Sequence, residues 1–173
     1  MPRRAVFIDE SKDPEYVVAC TFIDMSSLAQ ARAALRPHVL PGAYRLHFKS
    51  ERNDRRGAIL DTILSLPITV RLYIGPRAEQ VQTRTGALTS LAEESARGDV
   101  ERIVIERDDS VVAVDRRTIA VAMRGSTHLL EYAHLRAKEE PLLWASDAVA
   151  WCWQRGGRWR QRAQPVIADV RRV

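Results

Sequence analysis

Apolar residues along the chain fall into short runs separated by turn-forming clusters. Ala5–Asp9 and Tyr16–Ile23 are rich in β-branched and aromatic residues, which predicts two strands. Lys12-Asp13-Pro14-Glu15 between them is a turn cluster, so the pair reads as an antiparallel hairpin. A helix is predicted over Leu28–Leu35, capped by residues from Asp24 to Ser27 and stopped before Pro37. Pro41-Gly42 then marks a turn, and Ala43–Phe48 alternates as a third, short strand.

Ser50 is a cap for a helix over Glu51–Leu66, with Ile59, Ile63, Leu64 and Leu66 as its apolar side. Beyond Pro67, strands over 68–74, 100–105 and 127–135 alternate with helices. The first of these helices runs from Gly75-Pro76 to about Arg97, with Leu88, Leu91 and Ala92 facing inward, and the second from Asp108 to Met123. The last runs from about Leu142 to Gln154, and Gly156-Gly157 break it. An opening hairpin followed by alternating strands and helices predicts an α/β domain, a mixed sheet of about five to six strands flanked by helices. At 173 residues one domain is expected, with 1–155 as its body and 156–173 as a basic C-terminal extension of it.

Composition narrows the class. With 46% hydrophobic and 28% charged residues, a disordered or fibrous chain is excluded. The apolar runs are broken by charges well short of the roughly 20 residues of a membrane span. Met1-Pro2-Arg3-Arg4 before Ala5–Ile8 suggests a leader, but Asp9-Glu10 ends the run far short of the ~7–15 residues of a signal sequence. A soluble, cytoplasmic protein without membrane contact is therefore expected. Cys20 and Cys152 lack metal-ligand spacing and read as buried free thiols. Phosphate-loop, dinucleotide, zinc-type and serine-hydrolase motifs are missing from the sequence.

The formal charge of +5 is unevenly spread. From Cys152 onward, Arg155, Arg158, Arg160, Arg162, Arg171 and Arg172 face a lone carboxylate, Asp169, which leaves the rest of the chain near neutral. Arginine suits bidentate phosphate contact, although a GC-rich genome also favours it. Trp159 lies among Arg158, Arg160 and Arg162, an interleaving that suits stacking on bases and tracking phosphates. The same residues also suit a helix whose tryptophans pack inward and whose arginines are solvated.

Carboxylates stand where a sheet of this kind builds sites. Asp9 and Glu10 follow the buried part of the first strand, and Glu106 follows Ile103-Val104-Ile105 in the same way. Asp147 lies inside an apolar helix, on the side of Leu143, Ala150 and Trp151. A buried carboxylate needs a partner or a cation, and three together repel unless a hard divalent ion joins them. Two such ions suit phosphodiester cleavage. The alternative is that Glu10 and Glu106 are solvated and that Asp147 pairs with an arginine.

Phe7-Ile8-Asp9-Glu10-Ser11, Val17-Val18-Ala19, Ile103-Val104-Ile105-Glu106-Arg107 and Leu143–Ala150 together resemble the domain-of-unknown-function 3800 family over nearly the whole chain. Members open with a hydrophobic run into Asp-Glu-Ser-Gly, carry a strand ending in Asp, and close with a helix of the type Leu-Gln-x-Ala-Asp-x-x-Ala. That family is similar to the ribonuclease-H superfamily, which implies a ribonuclease-H-like sheet and a Mg- or Mn-dependent nuclease acting on nucleic acid.

Carried over by position, the resemblance makes Asp9, Glu106 and Asp147 the metal ligands and catalytic residues, with Glu10 or Glu51 auxiliary. Lys12 stands for the motif's glycine, Glu106 for an aspartate and Trp144 for a glutamine. These departures favour a second reading, a nucleic-acid-binding or protein-interaction module that has lost turnover. His47 and Lys49 fall at the end of the third predicted strand, where the family often has a segment containing a glutamate or histidine. Together with Arg158, Arg160 and Arg162 they are the candidate substrate-binding residues. Capping alone explains Glu51 and Asp54, and likewise Asp108 and Asp109.

Overall fold

The computed structural model describes residues 3–173, so the Met1-Pro2 start of the leader-like segment lies outside the described residues. Among the described residues six strands form one sheet: β1 (Arg4–Ser11), β2 (Tyr16–Asp24), β3 (Ile68–Gly75), β4 (Arg102–Glu106), β5 (Glu131–Leu135) and β6 (Ile167–Arg172), in the order β5-β4-β1-β2-β3-β6. The opening hairpin is present, with Ile8 opposite Cys20. β2 runs antiparallel to both its neighbours, and the other pairings are parallel. The helices are α1 (Leu28–Leu35), α2 (Asn53–Ser65), α3 (Gln80–Ala96), α4 (Val112–Ala122), α5 (Leu142–Arg155) and α6 (Gly157–Ala163).

Because strand side chains alternate, the sheet has two cores. Ala5, Phe7, Val17, Ala19, Leu72 and Val104 face α1, α2, α5 and α6. Val6, Ile8, Val18, Cys20, Ile103 and Ile105 face α3 and α4, through residues such as Leu88, Leu91 and Ile119. Both cysteines are buried and free, and burial pushes each thiol up to about 12. No helix of the described residues is long and apolar enough to cross a membrane.

Two elements depart from expectation. Ala43–Phe48 is no strand; it crosses the end of the sheet without pairing and enters a 3₁₀ turn, Phe48–Ser50. Its alternation is real, since Leu46 and Phe48 are buried while Tyr44 and His47 are exposed, but it reflects two anchors of a loop. The sixth strand lies instead within 156–173, where α6 leads into β6 beside β3. The inner face of β6 carries Asp169 and Arg171, which hides it from a hydropathy pattern. Five starts also come later than predicted: α2 begins at Asn53, α3 at Gln80, β4 at Arg102, α4 at Val112 and β5 at Glu131.

Candidate active site

Register and parity bring the acidic residues together. In the parallel β1–β4 pair Ile8 lies beside Ile105, so Asp9 and Glu106 follow as neighbours at the carboxyl ends of their strands. Asp9 shares parity with Phe7, and Glu106 with Val104, so both belong to the α5 face. Helix α5 is fastened there by Ser146, whose buried hydroxyl donates to the Phe7 carbonyl at 2.8 Å and lies 2.7 Å from Thr21 Oγ1. Asp147 is the next residue. No motif pointed to Ser146; its only sequence signal is a small polar residue in an apolar helix.

Asp9 is 5% exposed and accepts the Glu10 backbone N–H at 2.7 Å. Burial raises its pKa well above the usual carboxylate value; Glu106, within hydrogen-bonding reach, and the Asp147 charge push it further the same way. Asp9 is thus the carboxyl on which both other acidic groups act.

Basic side chains already attend two of them. Arg45 Nη1 lies 3.2 Å from Glu106 Oε1. Asp147 Oδ2 accepts the Phe48 backbone N–H at 2.9 Å, and His47 Nδ1 stands 3.7 Å from the same oxygen. The Asp147 carboxylate raises the His47 pKa above the usual imidazole value. Arg45 was not foreseen as part of the site; it becomes legible only once the loop is seen crossing the sheet end. The donors are all carboxylate oxygens, which fits a hard divalent ion in kind. As the side chains stand, no group of three His, Cys, Asp or Glu among the described residues is arranged to hold a metal ion.

Glu10, next to Asp9, has the opposite parity and joins a separate network. Arg84 donates to it at 2.8 Å, Lys12 approaches at 3.0 Å and the Tyr16 hydroxyl also donates. Arg84 also forks onto buried Asp115 at 2.7 and 2.8 Å, and His134 Nε2 lies 2.9 Å from that carboxylate. An open cleft of about 470 Å³ at the strand ends is lined by Asp9, Glu10, Lys12, Arg84 and Glu106 among others. Glu51, the other auxiliary candidate, is ion-paired with Arg55 at 2.6 Å.

The C-terminal arginines are divided. Arg160 donates to the Trp153 carbonyl at 2.6 and 2.9 Å, and Arg162 pairs with Asp61 at 2.9 Å. Arg158 is exposed beside the Trp159 ring. Lys49 is exposed in the 3₁₀ turn. Trp144 is buried, its indole N–H donating to the Ala137 carbonyl at 2.7 Å.

A mixed sheet with one antiparallel strand beside the first, helices on both faces and acidic residues at the strand ends defines a ribonuclease-H-like α/β fold. The chain is similar to a ribonuclease HII chain in a structure of the PCNA:RNase HII complex from Archaeoglobus fulgidus. The two share 16% identity with a TM-score of 0.53, over 92% of this chain and 75% of that one. The chain matches no family model and no curated protein.

Proposed function

We propose that the protein is a metal-dependent, nuclease-like member of the domain-of-unknown-function 3800 family, acting on a nucleic-acid phosphodiester backbone. One observation carries this reading: Asp9, buried at a strand end, has its proton affinity raised by burial and by Glu106 and Asp147, carboxylates from distant parts of the chain. Asp9 and Glu106 line an open cleft, and excess negative charge there is the setting in which a divalent cation binds. A bound Mg or Mn ion would supply the positive charge that phosphoryl transfer requires. Asp9, Glu106 and Asp147 would hold it, with Glu106 first leaving Arg45. His47, beside Asp147, would then face the substrate as a proton donor or acceptor.

A specific observation favours the second reading, a binding module without turnover. Arg45 already lies against Glu106 and His47 beside Asp147, so both carboxylates have basic partners from the chain itself. Titration with Mn²⁺, followed by melting temperature and by cleavage of labelled single-stranded and duplex substrates, separates the two. The nuclease reading expects a rise in melting temperature and cleavage, both lost in Asp9→Asn. It also expects Arg45→Ala to bind Mn²⁺ more tightly, because its competitor is gone. Salt-sensitive nucleic-acid binding, with neither metal stabilisation nor cleavage in any variant, establishes the module.

A further inference from the structure

Helix α5 continues past Asp147 on the same face. Trp151 and Arg155 follow at steps of four residues, placing Arg155 roughly 12 Å further along the axis from Asp147. They border a second cleft, of about 440 Å³, together with Lys12, Asp13, Lys49 and Gln154. Lys12 lines both this cleft and the acidic one, so the two adjoin.

The floor is built rather than incidental. Arg56 donates to the carbonyls of Phe48 at 3.0 Å and Lys49 at 2.6 Å, and its guanidinium lies over the Trp151 ring at 4.2 Å. That clamp fixes the backbone from which Lys49 projects. Gln154 is engaged with the Glu15 carbonyl and Ser11, and Asp13 is paired with Arg77. Lys49 and Arg155, by contrast, have no carboxylate within 4 Å among the described residues. Unpaired like charges lining one cleft repel each other, and an anion relieves that repulsion.

We infer that this cleft takes backbone phosphates of the nucleic-acid strand whose reacting segment lies at Asp9, with Lys49 and Arg155 as the principal contacts. The inference rests on the proposed function for its substrate class. It moves strand binding away from Arg160 and Arg162, which the protein holds internally, to the surface that continues directly from the acidic residues. A free phosphate ion would need no continuity between the clefts; a polymer does.

The test is fluorescence anisotropy of a labelled oligonucleotide, single-stranded in one arm and duplex in the other, with the full chain in EDTA. Lys49→Ala/Arg155→Ala should weaken binding of whichever form binds by about tenfold or more at low salt. Removing two phosphate contacts should also flatten the logarithmic salt dependence by roughly 1.4 for a single strand. Both residues are exposed, so melting should match wild type. Lys49→Gln/Arg155→Gln is the fallback if the alanine pair misfolds. Unchanged affinity and salt slope in the double variant, or loss confined to Arg158→Ala, overturns the inference, as does a wild-type chain that binds no oligonucleotide. Binding lost in the double variant upholds it even where no metal supports cleavage, a result that would sink only the nuclease reading. Cleavage with unchanged affinity in the double variant sinks only the cleft.

Discussion

Asp9 shows how a single side chain records its neighbours. Burial and two nearby carboxylates raise its folded pKa above the unfolded value. The stabilising contribution of such a group is fully present below the unfolded pKa and is lost as pH rises through the raised value. At neutral pH and without metal, Asp9 therefore weakens the fold. Asp9→Asn should raise the metal-free melting temperature by a few degrees near pH 8, and the gain should shrink towards pH 4. Melting curves across that range check this; a variant less stable than wild type at pH 8 would mean that the carboxylate is compensated after all.

At the scale of elements, the 3₁₀ turn Phe48–Ser50 couples loop, helix and site. Phe48 is 1% exposed and packs edge-on against Trp151 and Trp159 at centroid distances of 5.3 and 6.2 Å. Its backbone N–H holds Asp147, so packing of the ring fixes the position of a candidate ligand. Phe48→Ala should cost about 3–5 kcal/mol, as for other buried aromatic truncations, read by urea unfolding. It should also loosen whatever metal affinity Asp147 supports. Phe48→Leu, which retains most of the volume, should recover much of the stability. The strand reading of Ala43–Phe48 failed here for a physical reason: alternating burial at Leu46 and Phe48 arises whenever a loop is pinned at two points, and only a hydrogen-bonded neighbour makes it a strand.

Across the whole molecule, the second face is held by a charge network. Arg84 from α3 joins Asp115 of α4 and Glu10 of β1, while His134 of β5 meets Asp115. Removing one partner of a buried pair strands the other charge, so Arg84→Met should cost about 3–5 kcal/mol in chemical denaturation. A loss under about 1 kcal/mol would show that Lys12, Tyr16 and His134 satisfy the carboxylates without it. Glu10 belongs to this scale, since its role is to join the sheet to α3.

The opening hairpin, the strand ending at Glu106 and the apolar helix carrying Asp147 were legible along the chain, because local hydropathy and turn chemistry act over a few residues. Asp9, Glu106 and Asp147 stand out there as well, since a carboxylate beside or inside a buried run is conspicuous. The parity that separates Glu10 from Asp9 is also a local matter, one residue along a strand. By contrast, the parallel register setting Ile8 beside Ile105, the docking of Ser146 on Phe7, and the arrival of Arg45 and His47 at the acidic residues exist only in the folded chain. Each depends on residues far apart in sequence, held together by the packing of α5 on the sheet, and no local pattern encodes such a meeting.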